Sequence, residues 1–285
     1  MPGTLFVVAT PIGNLEDVTL RALRILQEVD LIAAEDTRRT NQLLQHFKIT
    51  TATTSFHRHN ESKQLPRLLS KLDQGQNIAL VTDAGTPTIS DPGNTLVAKA
   101  IQQKLPIEAI PGPSAILAAL VLCGFLADGF TFVGFPPSRS IDRKRWFLNL
   151  SDEPRPLVLF EAPHRILKSL TDAINIFGDR PIFLARELTK VHEQLLHGTI
   201  SEVIDKISNK NGEFTIIIDA AETALPTSTL PEGNELWKEF CQLTDNLDLS
   251  RRQLVAKLAR RYGIQVRQKY EALEKSRRPA VQDQD

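Results

Sequence analysis

The chain has 285 residues with 34 basic and 34 acidic side chains, so its formal net charge at pH 7 is zero, and 41% of its residues are hydrophobic. This composition is typical of an ordinary globular protein with enough chain for two medium domains. Its longest apolar runs, such as residues 115–123, are too short to cross a membrane, and no basic and apolar leader opens the sequence. The two cysteines lie far apart and indicate free thiols in a reducing compartment, so we expect a cytoplasmic protein without membrane contact.

Strand-like apolar runs alternate with segments of helical spacing in the first half of the chain, at residues 5–9, 29–34, 51–56, 78–81 and 107–110. This alternation predicts a parallel sheet. Three runs end in loops rich in glycine, proline and hydroxyl residues, at 10–14, 81–93 and 111–115. Because open α/β sheets bind ligands at the carboxyl ends of their strands, these loops are the candidate ligand site.

The loop at residues 81–93 reads VTDAGTPTISDPG and is the longest of the three. A structural turn is the alternative, but thirteen residues are more than a typical connection of about 4–6 residues needs. Gly85 permits a close approach of backbone to a ligand, while Pro87 and Pro92 stiffen the frame. The loop contains no lysine or arginine, which argues against a phosphate and favours a cationic ligand that Asp83 would bind.

Carboxylates and arginines meet at the end of the second strand, at Glu35, Asp36 and Arg38. They form either a catalytic cluster or an ion-pair network, and the network is the more common arrangement. His57 and His59 would share one face of a strand and could bind a metal ion. No further Cys/His cluster accompanies them, so we expect a substrate-facing or capping role and no metal.

The second half of the chain predicts another sheet, from apolar runs at 130–135, 157–160, 182–185, 193–198 and 213–219. A basic cluster beside Trp146 is a candidate polyanion contact, or equally a solvated helix start. A linker at 223–231 precedes a tail at 232–285 that resembles a small helix-turn-helix module. Residues 250–278 carry ten Lys or Arg against two acids, a net charge of +8 that leaves −8 on the rest. The tail therefore binds a polyanion or presents a solvated helix face.

Nine motifs follow one another through the body of the chain: VATPIGNLEDVTLRAL (8–23), IAAEDTR (32–38), HRHNE (57–61), VTDAGTPTISDPG (81–93), PGPSA (111–115), GFPP (134–137), FEAPHR (160–165), ARELTK (185–190) and GEFTIII (212–218). At these spacings they resemble the tetrapyrrole methylase superfamily of S-adenosylmethionine-dependent methyltransferases. Within it they are similar to the branch that methylates the ribose 2′-hydroxyl of a cytidine in small-subunit (16S) rRNA. Gly85-Thr86-Pro87 stands where the precorrin branch usually has Gly-Asp-Pro, which favours the rRNA branch.

The resemblance implies an α/β fold with two domains, 1–112 and 113–222, a cofactor cleft between them, a C-terminal helical module, and a homodimer. By position, the residues that should line the S-adenosylmethionine site are Pro11, Gly13, Asp83, Ala84, Gly85, Thr86, Ser114 and Ala115. In the second domain the matching positions are Phe160, Glu161, Ala185, Arg186, Glu213 and Phe214. The implied partner is 16S rRNA in the small ribosomal subunit, with a cytidine near the decoding centre as target, and no DNA is expected.

Methyl transfer to a 2′-hydroxyl requires in-line alignment and a carboxylate that accepts or orients the hydroxyl proton. Our hypothesis is that Glu35 or Asp36 does this, with Glu187 as the alternative. The expected RNA contacts are Arg38, His57, His59, Arg139, Arg143, Lys144, Arg145, Arg165, Arg251, Arg252, Arg260 and Arg261. Two other functions stay open: a small-molecule methyltransferase of the corrin or haem pathway, and a non-enzymatic RNA-binding protein.

Overall fold

The computed structural model describes residues 1–125 and 128–220, which form two compact α/β units. The first unit consists of Met1–Gly124 and Ala185–Gln194, and the second of Phe125–Leu184 and the described residues from Leu195 on. Two α/β units with a sheet each are the predicted fold, which is confirmed. The first unit extends to Gly124, past the predicted domain boundary at residue 112. The predicted linker and helical tail lie outside the described residues.

A five-stranded parallel sheet forms the centre of the first unit. Its strands are β1 (Leu5–Val8), β2 (Leu31–Ala34), β3 (Thr53–Ser55), β4 (Ile78–Val81) and β5 (Ile107–Ile110). Their order is β3-β2-β4-β1-β5, and every neighbouring pair is parallel. All five carboxyl ends therefore lie at one edge of the sheet, where the candidate loops begin.

Helices cover both faces of this sheet. They are α1 (Leu20–Glu28), α2 (Thr37–His46), α3 (Glu61–Asp73), α4 (Asn94–Gln102) and α5 (Ala115–Cys123). One apolar core joins α1 and α2 to the sheet, and another joins α3 and α4 to it. Every residue of β4 is buried, which explains why its sequence is continuously apolar instead of alternating.

The second unit contains a mixed sheet. Its strands are β6 (Thr131–Gly134), β7 (Leu157–Glu161), β8 (Pro181–Arg186), β9 (Gln194–Thr199) and β10 (Phe214–Ile218), in the order β6-β7-β10-β8-β9. Strands β6 and β7 are parallel, whereas β7 and β10 are antiparallel. The helices α6 (Ser140–Leu150), α7 (Ile166–Phe177) and α8 (Ile200–Lys206) bury their apolar residues in a core with these strands.

Within residues 1–125 and 128–220, no helix combines the length and the hydropathy that crossing a membrane requires.

Candidate active site

The three candidate loops of the first unit are joined by hydrogen bonds. Thr10 and Gly85 form an isolated antiparallel bridge, in which each backbone N–H donates to the other residue's carbonyl, at N···O distances of 2.9 and 3.0 Å. The Thr10 hydroxyl also donates to the Thr82 carbonyl at 3.1 Å. The Thr86 hydroxyl donates to the Pro113 carbonyl at 3.3 Å. The loops after β1, β4 and β5 are therefore one connected assembly at the carboxyl edge of the sheet.

The backbone of the 81–93 loop is strained. Thr88 and Ser90 have φ angles of +74° and +67°, in the left-handed region that side chains disfavour. Their carbonyls accept hydrogen bonds from the Asn94 amide at 3.2 Å and the Arg58 guanidinium at 3.1 Å, which hold this conformation. Each such residue costs about 1–3 kcal/mol and is characteristic of ligand-binding and catalytic segments.

Glu35 connects β2 to the same loop. Its Oε2 accepts a hydrogen bond from the Thr82 hydroxyl at 2.6 Å and a longer one from the Asp83 N–H at 3.4 Å. Within the described part of the chain, its Oε1 accepts no hydrogen bond. Glu35 is half-buried. Its carboxylate is therefore fixed through Oε2, while Oε1 is not engaged by the described residues.

Asp36 is the N-cap of α2 and is fully engaged with Arg38. Its Oδ1 accepts from the Arg38 N–H at 2.9 Å, and its Oδ2 is 2.7 Å from Nη2 of the same arginine. These hydrogen bonds and the guanidinium charge lower the pKa of Asp36 to about 2. So low a pKa makes Asp36 a weak proton acceptor, and the structure favours Glu35 over it.

Asp83 is held at the start of α2. Its Oδ1 accepts the Asp36 N–H at 2.9 Å, and its Oδ2 lies 3.5 Å from Nε of Arg39. Burial and the neighbouring Glu35 charge raise the pKa of Asp83, and Arg39 opposes that shift. Asp83 therefore contributes a negative charge to the site while fixing the loop to the helix.

Asp91 is a site residue that the sequence did not single out. Burial raises its pKa from 3.8 to about 6, the Glu35 and Asp83 charges add to the shift, and a Thr82 hydrogen bond and Arg58 oppose it. Because the charges of Glu35 and Asp83 act on Asp91, these three carboxylates share one region of the first unit. Its position in the 81–93 motif was the available signal, but an aspartate before Pro-Gly also reads as an ordinary turn residue.

Gly13 is required by the packing of a turn at residues 187–190, which belongs to the first unit. A Cβ at position 13 would lie 2.5 Å from Cγ of Lys190, 2.6 Å from Oγ1 of Thr189 and 2.7 Å from the Leu188 carbonyl oxygen. The next residue, Asn14, donates its N–H to Oγ1 of Thr189 at 3.0 Å. Only glycine fits here, so the 10–14 loop and the 187–190 turn fix each other's position.

Glu187, the alternative catalytic residue, lies in that turn with a φ of +54°. Its Oε1 is 2.9 Å from Nζ of Lys190, and the Lys190 N–H donates to the Glu187 carbonyl at 3.0 Å. The turn is closed by Glu193, whose Oε2 accepts the Thr189 N–H at 2.7 Å. The ion pair gives Glu187 a role in shaping the turn.

The other predicted cofactor residues lie in these strand-end loops, at the start of α5 or at the end of β8. Pro11 and Gly85 are buried, Ala84 is half-buried and Thr86 is exposed. Ser114 is the N-cap of α5 and accepts the Leu117 N–H at 3.5 Å, with Ala115 as the first helical residue. Ala185 is buried in β8, while Arg186 ends that strand and donates through Nη1 to the His192 carbonyl at 3.3 Å.

In the second unit, Glu161 is an internal structural residue. Its fully buried carboxylate lies 2.6 Å from Nη2 of Arg165 and also accepts the Ala162 N–H at 2.7 Å and the Ser169 hydroxyl. Both oxygens are thus engaged inside the unit, and the carboxylate is closed to solvent. Phe214 is buried opposite it in the β7–β10 ladder. Of the remaining predictions, Phe160 is half-buried and Glu213 is exposed.

Two arginines expected to contact RNA are engaged inside the second unit. Arg143 is buried, and its Nε and Nη2 donate to Oδ2 of Asp172 at 2.8 and 2.6 Å. Position 143 lies on the inner face of α6, so the guanidinium group is engaged with Asp172 and its burial does not favour the predicted phosphate contact. Arg165 is mostly buried in its pair with Glu161, which also leaves it poorly placed for RNA.

The other RNA predictions have different surroundings. Arg38, Arg139 and Arg145 are exposed, and Lys144 is half-buried with Nζ 3.9 Å from Oδ1 of Asp172. The rings of His57 and His59 lie 6.0 Å apart. Among the described residues, no group of three His, Cys, Asp or Glu side chains is arranged to hold a metal ion. The four tail arginines at 251, 252, 260 and 261 lie outside the described residues.

The fold and the connected strand-end loops define an α/β protein of the methylase class. Residues 4–204 match the family described as Tetrapyrrole (Corrin/Porphyrin) Methylases, and the chain belongs to this family. The resemblance predicted from the strand-end motifs is thereby confirmed.

Individual members of the family are also similar to this chain in sequence. The chain is 49% identical over 222 residues to a protein of Synechocystis sp. named ribosomal RNA small subunit methyltransferase I, covering 77% of this chain and 80% of that one. It is 44% identical over 222 residues to the protein of the same name from Thermotoga maritima, covering 77% of this chain and 100% of that one. Among solved structures, a uroporphyrin-III C-methyl transferase from Thermus thermophilus complexed with S-adenyl homocysteine has a TM-score of 0.55 at 18% identity, covering 75% and 97% of the two chains. At that identity the likeness shows the fold alone.

Proposed function

We propose that this chain transfers a methyl group from S-adenosylmethionine to the ribose 2′-hydroxyl of a cytidine in 16S rRNA of the small ribosomal subunit, in the decoding region. The observation that carries the proposal is the sequence identity of 44–49% to proteins named ribosomal RNA small subunit methyltransferase I over most of both chains. The departure from Gly-Asp-Pro at Thr86 adds support for an RNA substrate.

The charges of the first-unit assembly suit the proposed cofactor. S-adenosylmethionine carries a methyl group on a cationic sulfonium, whose sulfur leaves as a neutral thioether without needing an acid. Glu35, Asp83 and Asp91 supply negative charge, and the 81–93 loop offers no cation for a phosphate. The bridge between Thr10 and Gly85 holds the flanking loops at the edge where such a ligand would bind. The three carboxylates therefore suit a cationic cofactor.

The proton of the 2′-hydroxyl needs an acceptor or an orienting group during attack, since an alcohol is a weak nucleophile. We assign this role to Glu35, whose Oε2 is fixed by Thr82 while Oε1 accepts no hydrogen bond from the described residues. Asp36 has too low a pKa to compete, and Glu187 is paired with Lys190. The bound carboxylate would align the hydroxyl and accept its proton as the methyl group is transferred.

We also propose that the protein acts as a homodimer in the cytoplasm, where small ribosomal subunits are found. Helix α5 is apolar around its whole circumference, yet Leu117 and Val121 are 57% and 82% exposed. A helix of this composition is normally buried on all sides, and a second copy of the chain is the partner that we assign to it. Sedimentation at equilibrium would give the mass of one chain if this assignment is wrong.

Radiolabel transfer tests the reaction. The protein is incubated with methyl-labelled S-adenosylmethionine and either unmethylated small ribosomal subunits or a tetrapyrrole precursor. We expect label in 16S rRNA, recovered after nuclease digestion as 2′-O-methylcytidine. Label in the precursor would instead select the small-molecule methyltransferase, and no label with either substrate would leave only a binding protein.

The basic tail is proposed to add RNA affinity rather than chemistry. Deleting residues 230–285 should weaken binding to the small ribosomal subunit and flatten the salt dependence of that binding. With fewer phosphate contacts, the complex releases fewer counterions when it forms. Filter binding at several salt concentrations measures both quantities. An unchanged affinity and slope would assign the tail another task.

A further inference from the structure

Three phenylalanines of the second unit form an aromatic cluster that reaches the surface. The Phe160 ring centroid lies 5.2 Å from that of Phe132 and 5.5 Å from that of Phe135, at interplanar angles of 65° and 53°. Phe135 is nevertheless 51% exposed. Its ring is thus packed on one side and open to solvent on the other.

The backbone around Phe135 holds the ring in place. The register between β6 and β7 shifts between Phe132 and Gly134, and Gly134 has a φ of +70°, so the strand bends just before Phe135. Such irregularities redirect a side chain out of the regular alternation. The following residue, Pro136, is buried, and its carbonyl accepts a hydrogen bond from Nη1 of Arg165 at 3.2 Å. An exposed aromatic ring is therefore presented by a stiff segment.

Exposed positive charge follows directly along the chain. Arg139 and Arg145 form no ion pair with any described side chain, and both are exposed. The buried Arg143 between them donates through Nη1 to the carbonyls of Pro137 and Ser138, at 3.4 and 3.1 Å, which ties this segment to α6. The two free guanidinium groups are thus connected to the aromatic cluster by a fixed backbone.

We propose that Phe135 is a stacking platform for an unpaired base of the RNA, with Arg139 and Arg145 on neighbouring phosphates. The inference rests on the proposed function and names the surface that receives the substrate. Single-stranded RNA is recognised by aromatic rings on which bases stack, flanked by cations that follow the backbone. A protein partner could also pack on the apolar ring, but it would not require the two exposed arginines, whereas RNA would bind both. An exposed ring that packs on a second ring, followed along the chain by two exposed arginines, matches the RNA requirement.

Substitutions at Phe135 separate stacking from simple packing. Phe135→Ala should weaken binding to small ribosomal subunits by about 10-fold at every salt concentration, because stacking is not a counterion effect. Phe135→Tyr should keep the affinity, whereas Phe135→Leu, which retains apolar bulk without a ring, should resemble the alanine variant. Ile141→Ala is the matched control, since Ile141 is an apolar side chain of the same segment and 56% exposed. The KM for S-adenosylmethionine should be unchanged in all four.

The arginines should respond differently. Arg139→Ala and Arg145→Ala should each reduce the slope of log affinity against log salt concentration by about 1.

Wild-type affinity for Phe135→Ala, or wild-type affinity for Phe135→Leu, would overturn the proposed stacking platform. If the wild-type protein still transferred label to RNA, the proposed function would stand. Failure of the wild-type protein to label RNA would remove both. A change in the sedimenting mass of Phe135→Ala alone would assign the ring to a contact between copies of the chain and overturn the proposal.

Discussion

A glutamate stands at the carboxyl end of both β2 and β7: Glu35 directly follows β2, and Glu161 is the last residue of β7. An arginine follows each within four residues, yet the two carboxylates have different partners. Glu161 of β7 is buried and bound by Arg165, by the Ala162 N–H and by Ser169. At β2, Arg38 pairs with Asp36 instead, so Glu35 is left with a hydroxyl and a backbone amide.

The difference separates a structural carboxylate from a reactive one. A buried and fully paired carboxylate contributes to a stable native state chiefly because removing it leaves an uncompensated charge. Burial raises the pKa values of Asp83 and Asp91, and the charges of neighbouring carboxylates add to both shifts. Such groups are poised for ligand binding or proton transfer.

The largest expected effect is on stability in the second unit. Glu161→Gln should lower the free energy of unfolding by about 3–5 kcal/mol, because it leaves the mostly buried Arg165 without its counter-charge. The same change at β2, Glu35→Gln, should lower it by less than about 1 kcal/mol. Urea unfolding followed by circular dichroism measures both. Equal losses would mean that the two strand ends do not differ as described.

The next effect is on the reaction. Glu35→Gln should lower the single-turnover rate at saturating cofactor by about 100-fold, at the low end of what loss of a general base removes. Asp36→Asn is the control and should stay within about twofold, since asparagine is an equally good N-cap. Rapid quench with labelled cofactor measures the rate. Normal rates in both variants would contradict the assignment of the proton acceptor to this strand end.

A smaller effect is expected where the 187–190 turn meets the first loop. Gly13→Ala should raise the KM for S-adenosylmethionine by about 10-fold, less than the ~100-fold of a 1 Å displacement, because the added Cβ must push Thr189 or Lys190 away. Gly129→Ala in the second unit is the matched control, since its Cβ would meet only Cδ of Arg155 at an ordinary 3.6 Å. Similar KM values for both variants would show that the turn does not support the loop.

The smallest effect is a pH dependence of stability with opposite signs in the two units. The pKa of Asp91 is raised to about 6, so the native state binds more protons than the unfolded chain between about pH 4 and 6. Stability therefore falls as pH rises through that window, and Asp91→Asn should remove the fall. Hydrogen bonds from Ser201 lower the pKa of Asp179, so its contribution is present above its unfolded pKa and lost on acidification.

Unfolding midpoints between about pH 3 and 8 test these signs for the wild type, Asp91→Asn and Asp179→Asn. Asp179→Asn should flatten the loss of stability at the acid end and leave the window near pH 5 unchanged. The same pH profile for the wild type and Asp91→Asn would mean that Asp91 ionises normally in the folded protein.

Many residues of the first-unit site could be predicted because they lie in short, contiguous sequence motifs. The bend of residues 81–93 needs Gly85, whose φ is +82°, and such a requirement is visible along the chain, whereas Gly13 is required by its packing against the distant 187–190 turn. Asp91 could not be singled out, because its pKa is raised by burial in the folded unit and by the charge of Glu35, a residue 56 positions earlier. The pairing of Arg143 could not be predicted for the same reason, since its partner Asp172 lies 29 residues away on α7.

The sequence by itself determined the order of strands and helices, the loops at the strand ends and the family, because period, turn chemistry and motif spacing are local properties. Only the tertiary structure decided which carboxylates and arginines are paired. Pairing depends on distances of about 3 Å between side chains from different elements, and at that range one counterion changes the energy of a charge by several kcal/mol. Glu35 and Glu161 are alike along the chain, and their surroundings in the fold make one a candidate catalytic group and the other part of the core.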